Sequence, residues 1–360
     1  MVGQLFMSYV YGSGAHRATP AQQAANLALY GAGTPAAVVR RWHLGGVILI
    51  DHNTLDPNRS TLSTGNVDSA AQTAGLDAGL QRVARAAGDP RLLIATDQEG
   101  GVVQRITSGV DPRPSQESIA HQSRTMLVCG YYRLGRQLRA LGVNQDFAPV
   151  ADVVRTSTGV IGDRSFGPDP ALDARDVSAA VTGLQHGGVL ATLKHWPGHG
   201  STSTDSHAAL AVVTESAATW RSVDRVPFAR AAGRAAAIMV GHLAVPALDP
   251  SGLPATFSPV LNARLLRKGL GFRGLVVTDS LWMEPARRMG PPGRMALRAL
   301  RAGNDLLLEP PALPASYRAV LAAVRHRPAV RALVRHAAAH VLAAKVRAGQ
   351  RPRQPRGCAG

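Results

Sequence analysis

The chain has 360 residues, of which 45% are hydrophobic and 4% aromatic, and its formal net charge is +17. This length suits one α/β barrel, and the lack of any run of eighteen apolar residues predicts that no segment spans a membrane. Its arginines are spread along the chain among few aromatic stacking platforms, which favours a compositional bias over nucleic-acid binding.

Short apolar runs rich in β-branched residues recur along the chain, and most of them end in polar or titratable side chains. Near-continuous apolar strands that alternate with helices are typical of a parallel sheet covered on both faces. The runs predict eight strands, within residues 3–10, 45–53, 91–101, 142–153, 188–198, 236–243, 274–280 and 304–310.

Stretches of Ala, Leu and Arg with helical spacing lie between most of these runs. They predict helices over 70–87, 122–141, 171–187, 216–234, 259–269 and 293–302. Eight strands alternating with helices favour a single-domain (β/α)8 barrel of the TIM type. A doubly wound open sheet is the alternative fold, but no G-x-G-x-x-G motif follows a strand.

The densest basic segment begins at Arg325 and runs to the end of the chain. Its Ala, Leu and Val spacing predicts a helix with a basic face, followed from about Gly349 by a disordered tail. We therefore expect one barrel domain over residues 1–345 and a basic, disordered tail over 346–360. Cys129 and Cys358 are far apart in the sequence and indicate no disulfide framework.

Polar residues cluster at or just after the carboxyl ends of the predicted strands. In a barrel those ends form one face, and that face carries the active site. A single such residue, above all His242, is readily explained as a strand end hydrogen-bonded by a nearby loop. Agreement among five strand ends points instead to one pocket, with the side chains of Asp97, Asp146, Lys194, His195, His242 and Asp279.

Asp279 directly follows the apolar stretch "LVVT". A carboxylate fixed there by a rigid strand suits a nucleophile that must be held against the atom it attacks. The same residue could equally serve as the N-cap of the next helix. The local sequence leaves these two interpretations even.

The stretch "KHWPGHGSTSTDSH", residues 194–207, is too rich in Gly and Pro for a helix and too polar for a core strand. Within it, Asp205 and His207 would lie on the same side of an extended loop. A carboxylate bonded to one imidazole nitrogen fixes the tautomer and supports the imidazolium, which leaves the other nitrogen free for proton transfer. The loop therefore predicts a general acid/base.

A zinc site is the competing interpretation of this loop. The spacing of its histidines matches no zinc motif, so we predict no metal and no other cofactor. His199, between two glycines, is better explained as a hydrogen-bonding residue that organises the loop. The ligands that a metal would need are His195, His199, Asp205 and His207.

The loop closely resembles the K-H-[FW]-P-G-H-G…D-S-H loop of bacterial β-N-acetylglucosaminidases of glycoside hydrolase family 3. Further blocks resemble that family in its order, up to about residue 310. They are "GGVILI", "DQEGGVVQRI", "GVNQDFAPVADV", "IGDRSFGPDP", "IMVGHLAVPALD", "PATFSPVLNARLLRKGLGFRGLVVTDSLWM" and "AGNDLLLEP".

The resemblance implies a role for each matching position. Asp279 matches the nucleophile, and His207 matches the acid/base with Asp205 as its partner. The implied substrate is a terminal β-linked N-acetylglucosamine on peptidoglycan fragments, cleaved with retention. Sugar-binding positions are matched by Asp97, Arg105, Arg164, Lys194 and His195.

Three positions depart from the family pattern. Val102 stands where the family commonly has Arg, and Ser280 replaces a small or acidic residue after the nucleophile. The segment 284–294 is unusually rich in Pro and Arg, so it bears on the exact specificity more than on activity.

Two other functions remain open at this point. A family 3 β-glucosidase usually takes its acid/base Glu from a second domain, for which this chain has no room. A non-catalytic protein that binds cell-wall glycans on the same fold would be expected to lack Asp279 or His207, and both are present.

The expected partner is a glycan that contains N-acetylglucosamine, with no nucleic acid, and the expected assembly is a monomer. The N-terminus shows no signal peptide, which predicts a cytoplasmic protein. If the start is truncated, we expect a secreted or wall-associated one.

Overall fold

The computed structural model describes residues 1–156 and 159–358. Its main sheet has eight strands, and each lies within one of the eight predicted runs. We number them β1 (Phe6–Ser8), β2 (Gly46–Ile48), β3 (Leu93–Thr96), β4 (Gln145–Asp146), β5 (Leu190–Trp196), β6 (Ala237–Val240), β7 (Leu275–Thr278) and β8 (Leu307–Leu308).

The sheet closes into a barrel with all strands parallel. Each strand pairs with its neighbours in sequence, and β1 also pairs with β8 through Phe6 opposite Leu307. A parallel bridge between Val277 and Leu306 joins β7 to β8 and closes the circle. This topology confirms the predicted (β/α)8 fold and rules out the open doubly wound sheet.

The α-helices form the outer layer of the barrel. In chain order they are α1 (Pro20–Tyr30), α2 (Pro35–Trp42), α3 (Ala70–Ala86), α4 (Gln116–Ile119), α5 (Arg124–Ala140), α6 (Pro170–His186), α7 (Ala217–Ser222), α8 (Arg225–Ala231), α9 (Glu284–Arg287), α10 (Pro292–Ala302), α11 (Leu313–His326) and α12 (Pro328–Ala348). A π-helix spans Val260–Gly269, and short 3₁₀ turns span Val2–Leu5, Gly162–Arg164 and Ala255–Phe257.

The helices largely follow the predicted stretches, although the short helices α4 and α9 lie outside them and three further differences concern longer segments. The stretch 216–234 holds two helices, because the chain leaves helical geometry at Val223, where ψ is −80°. The helices α1 and α2 were not predicted, although each begins with a threonine cap followed by proline, a known helix-start signal. α11 was not predicted either.

The core of the barrel is apolar on both sides of the strands. The four residues of β6, for example, are each no more than 2% exposed. Strands buried on both faces need near-continuous apolar sequence, which is why these runs stand out in the sequence.

The C-terminal segment differs from the disordered tail that the sequence predicts. Helix α12 extends past residue 345, and the segment after it packs on the barrel, with the Arg353 N–H donating to the His186 carbonyl at 2.8 Å. Residues 359 and 360 of the expected tail lie outside the described residues.

A disulfide joins Cys129 on α5 to Cys358, which corrects the expectation of no disulfide. The bridge connects residues 229 positions apart, with a Cα–Cα distance of 5.3 Å. Only the folded chain brings them together, so their wide spacing in the sequence was a poor guide. Across the described part of the chain, no helix is long and apolar enough to cross a membrane.

Candidate active site

A pocket of about 160 Å³ opens at the carboxyl ends of the barrel strands. The structure brings seven of the eight predicted site residues to its wall, and the eighth, Asp205, contacts His207. The seven lining residues are Asp97, Arg105, Arg164, Lys194, His195, His207 and Asp279.

Asp279 directly follows β7 and is half-buried on the pocket wall. Its backbone N–H donates to the Val240 carbonyl at 2.9 Å, which fixes it to the neighbouring strand. Burial alone would raise the pKa of its carboxyl, but the nearby His195 and His242 more than offset this and lower it. Asp279 is therefore a carboxylate at neutral pH, which is the form that a nucleophile requires.

The interpretation of Asp279 as a helix cap does not hold. Its Oδ1 accepts a hydrogen bond from the N–H of the next residue, Ser280, at 2.7 Å, and no helix begins there. The next helix, α9, starts at Glu284. The side chain thus remains directed at the pocket.

His207 and Asp205 form a bonded pair at the rim of the pocket. Asp205 Oδ1 lies 2.7 Å from His207 Nδ1 and also accepts the His207 backbone N–H at 2.9 Å. Burial alone would raise the pKa of the Asp205 carboxyl, but the hydrogen bonds and charge of His207 together outweigh burial and lower it. With Nδ1 engaged, Nε2 is the ring nitrogen left for proton transfer.

A backbone contact joins this loop to the segment that follows Asp279. The Glu284 N–H donates to the His207 carbonyl at 3.2 Å. The proline- and arginine-rich segment 284–294 thus contacts the loop that carries His207 without lining the pocket, and Glu284 pairs with Arg288 at 3.0 Å across one helical turn.

Four charged side chains form a buried network on the other side of the pocket. Lys194 Nζ lies 2.6 Å from Asp97 and 2.5 Å from Glu99. Glu99 also accepts two hydrogen bonds from the Arg164 guanidinium, one from Nε at 2.8 Å and one from Nη2 at 2.9 Å. Burial alone would raise the pKa of Glu99, but the two cations lower it to about 2.

The network fixes the sugar-binding candidates before any ligand arrives. Burial alone would lower the pKa of Lys194, but Asp97 and Glu99 raise it, so the lysine stays charged. Asp97 is still partly exposed and can accept hydroxyl protons. Arg105 donates its backbone N–H to the Asp97 carbonyl at 3.2 Å, and its exposed side chain faces the same pocket.

A buried aspartate, Asp152, orients the histidines of the loop. Its Oδ2 lies 2.8 Å from His195 Nδ1, and its Oδ1 accepts the N–H groups of His195 and His199. Although burial alone would raise it, these contacts lower the pKa of Asp152. His199 Nε2 lies 2.9 Å from the Ser206 hydroxyl, so it ties the start of the loop to its end.

Two predicted strand-end residues do not join the pocket wall. His242 is fully buried between the Ser280 carbonyl at 2.9 Å and the Thr256 hydroxyl at 2.8 Å, and burial lowers its pKa. Asp146 is also fully buried and accepts the Gln98 N–H at 2.9 Å. His242 is thus a strand end whose two ring nitrogens are hydrogen-bonded by neighbouring groups, as the simpler explanation allows, whereas Asp146 keeps one carboxyl oxygen, Oδ2, without a hydrogen-bond partner among the described residues.

The described residues contain no group of three or more His, Cys, Asp or Glu placed to hold a metal ion. The absence of a catalytic metal stays a prediction.

Three acidic residues of the site escaped the sequence analysis. Glu99 lies two residues after Asp97 on the same short extended segment, so the alternation of strand side chains could have identified it. Glu309 follows β8, where the strand-end rule applies. Asp152 carries no local signal, because only the fold brings it to His195.

Glu309 is a buried carboxyl of the pocket wall, 5% exposed. Its Oε1 has no hydrogen-bond partner among the described residues. Burial, together with the nearby Asp97 and Asp279, raises its pKa to about 7. The pocket therefore holds Glu309, with a pKa of about 7, beside Asp279, whose pKa is lowered.

Curated relatives of the chain share one description. The chain is 36% identical over 286 residues to a β-hexosaminidase of Alkalilimnicola ehrlichii, and the match covers 76% of this chain and 77% of that protein. It is 37% identical over 278 residues to a β-hexosaminidase of Tolumonas auensis, covering 75% and 77%.

Solved structures of similar proteins share the fold over almost the whole chain. A glycoside hydrolase family 3 β-N-acetylglucosaminidase from Paenibacillus has a TM-score of 0.84 at 33% identity, over 99% of this chain and 64% of that one. A β-N-acetylhexosaminidase from Beutenbergia cavernae has a TM-score of 0.81 at 29% identity, over 96% and 97%.

The family comparison covers most of the barrel. Residues 23–344 match the glycosyl hydrolase family 3 N terminal domain. With the barrel, the pocket and these relatives in agreement, the chain is a glycoside hydrolase of family 3.

Proposed function

We propose that the chain is a retaining glycosidase that removes terminal β-linked N-acetylglucosamine, with peptidoglycan fragments as its substrate. The observation that carries the proposal is that Asp279 and His207 line one pocket, with Asp205 bonded to His207. The names of the relatives from Paenibacillus and Beutenbergia support the choice of sugar. The peptidoglycan source rests on the sequence resemblance.

The proposed reaction has two steps. Asp279 attacks the anomeric carbon while His207 Nε2 gives a proton to the departing oxygen, which breaks the glycosidic bond and leaves a glycosyl ester. Water then attacks the same carbon, gives its proton to His207 and releases Asp279. Two inversions retain the configuration, and His207 replaces the second carboxyl of most retaining hydrolases.

The charged network would hold the sugar against Asp279. Asp97 would accept protons from two hydroxyls, while Lys194 and Arg105 donate to others. Arg164 uses two of its nitrogens on Glu99, so its role is to contact the sugar through the remaining N–H groups and to hold Glu99. His195, fixed by Asp152, would donate from Nε2.

Rates on aryl β-N-acetylglucosaminide and aryl β-glucoside test this function, followed by trapping with a 2-fluoro sugar. We expect the aryl β-N-acetylglucosaminide to be preferred and the adduct to form on Asp279.

A pair of variants tests the role of Asp279. Asp279→Asn should lose turnover while it still folds, and the control Asp111→Asn, at an exposed position, should keep its turnover. Preference for the glucoside would favour a β-glucosidase. Glycan binding without hydrolysis would favour a non-catalytic binding protein.

A further inference from the structure

A second groove lies at the opposite end of the barrel from the pocket. It has a volume of about 480 Å³, is open to solvent, and lies between the end of α6, the loops that precede β5 and β6, and the segment after α12. Because these loops lead into the amino ends of the strands, a ligand there would leave the catalytic pocket open.

Among residues 1–156 and 159–358, the lining of the groove includes several arginines and no Asp or Glu side chain. Within residues 1–156 and 159–358, none of its arginines forms a salt bridge. Fixed arginines with no counter-ion raise the local concentration of anions. The arginines of the lining are Arg124, Arg234, Arg347, Arg351 and Arg353.

Arg347 is the most constrained of these cations. Its guanidinium is half-buried and donates to the Arg234 carbonyl at 2.8 Å. Burial lowers its pKa, because no anion compensates the lost hydration. An anionic ligand in the groove would supply that compensation.

The segment after α12 is anchored so that its arginines stay at the groove. The Arg353 N–H donates to the His186 carbonyl, and the Cys129–Cys358 disulfide holds the far end. Pro352 packs on Gly188, where φ is +91° and an added Cβ would lie 2.9 Å from the proline ring. Such anchoring lowers the entropic cost of presenting Arg351 and Arg353 to a ligand.

We propose that this groove binds a linear anionic polymer with phosphodiester groups and no bases. The planar fork of arginine matches phosphate oxygens in pairs. In the part of the chain that the structure describes, no Phe, Tyr or Trp lines the groove, so these residues offer no ring on which bases could stack. The disulfide indicates an oxidising compartment, where wall polymers are met rather than nucleic acid.

Calorimetric titration with short poly(glycerol phosphate) tests the groove, at low and at physiological salt. The variant Arg347→Gln/Arg351→Gln/Arg353→Gln removes three cations of the groove. The control Arg318→Gln/Arg325→Gln/Arg335→Gln removes three exposed cations of α11 and α12, outside the groove. Both change the net charge equally.

We expect the groove variant to lose at least about tenfold in affinity and to show a shallower dependence on salt, because phosphate contacts release counterions. The control should change less than about twofold. Cys358→Ser, which frees the segment without removing an arginine, should also weaken binding. Hydrolysis of the aryl glycoside should be the same in every variant, so this test is independent of the proposed function.

Three results would overturn the proposal. The first is no binding by the wild-type protein at low salt. The second is an equal loss in the control variant, which would mean that the total charge is responsible. The third is tighter binding of oligothymidylate with the same number of phosphates, which would make the ligand a nucleic acid.

Discussion

His207 and Asp279 differ in their contact with solvent, as their two proposed tasks require. The His207 side chain is 49% exposed, so a leaving group and then a water molecule can reach it. Asp279 is half-buried at a strand end, where it can be held against one atom. Changes at the two residues should therefore alter the reaction in different ways.

We expect His207→Ala to slow the cleavage of a natural disaccharide far more than that of a nitrophenyl glycoside. A sugar leaving group needs its oxygen protonated, and such help is worth roughly 10²–10⁴-fold in rate. Nitrophenolate leaves without it. Because water is no longer activated, the glycosyl ester should persist, and added azide should restore turnover.

The partner Asp205 provides a graded comparison. Asp205→Ala removes the carboxylate 2.7 Å from His207 Nδ1 and should show a smaller version of the same pattern. Equal slowing of both substrates in His207→Ala, with no rescue by azide, would make His207 a binding or structural residue.

Glu309 should make the stability of the protein depend on pH. In the folded protein its pKa is about 7, above the usual glutamate pKa that it has in the unfolded chain. At a pH between these two pKa values, the folded state keeps the proton on Glu309 and the unfolded state loses it. Its contribution is therefore intact at low pH and is lost as the pH rises through 7, at a cost of about 3 kcal/mol.

Glu309→Gln removes this cost, because the amide stays neutral. The difference in unfolding free energy between the variant and wild type should shift in favour of the variant when the pH is raised from 5 to 8.5. Urea denaturation of both proteins at both pH values measures this difference. The matched change Glu117→Gln, at an exposed residue, should show no such gain. A pH-independent difference for Glu309→Gln would contradict the linkage.

At the scale of elements, β5 organises more of the site than any other strand. Lys194 and His195 both lie on it, and each binds an acidic residue from another strand end or its following loop. Two peptide bonds at its end, Lys194–His195 and Trp196–Pro197, are cis. The strand thus connects the charged network on one side of the pocket to the loop that carries His207.

The disulfide between α5 and the C-terminal segment should contribute to stability. Cross-linking residues 229 positions apart restricts the unfolded chain, and a native disulfide is typically worth about 2–5 kcal/mol. We expect Cys358→Ser, or a reducing agent, to lower the urea midpoint by a corresponding amount.

Activity provides the control for this change. The bridge does not line the catalytic pocket, so Cys358→Ser should hydrolyse the aryl glycoside at the wild-type rate under mild conditions. Two free thiols in the native, unreduced protein would show that the bridge does not form.

For the whole molecule, we expect dialysis against a strong chelator to leave the rate of hydrolysis unchanged. His195 and His199 already have protein partners in Asp152 and Ser206, and His207 is engaged by Asp205. Stoichiometric zinc that is lost together with the activity would instead identify a metal centre. Measurement of bound metal before and after dialysis distinguishes the two outcomes.

In our two proposals, hydrolysis and polymer binding take place at opposite ends of the barrel. Buried acid–base pairs line the pocket at the carboxyl ends of the strands, while unpaired arginines line the groove at the amino ends. Hydrolysis and polymer binding can therefore be removed separately by mutation.

The sequence alone determined the eight strands, their order and the carboxyl-end position of Asp97, Lys194 and Asp279. These features are local, because a strand buried on both faces needs a continuous apolar run and a polar residue marks its end. Missed helices such as α1 also had local signals. The break within residues 216–234 also had one, Pro227, which lies in the first turn of α8 and is incompatible with an unbroken helix.

Only the tertiary structure decided which side chains meet. Glu99 reaches Lys194 and Arg164, Asp152 reaches His195 from 43 residues away, and Cys129 reaches Cys358. Such contacts depend on closure of the barrel, which places distant strand ends side by side. Periodicity and composition describe neighbours along the chain, so they carry no information about partners that meet only after closure.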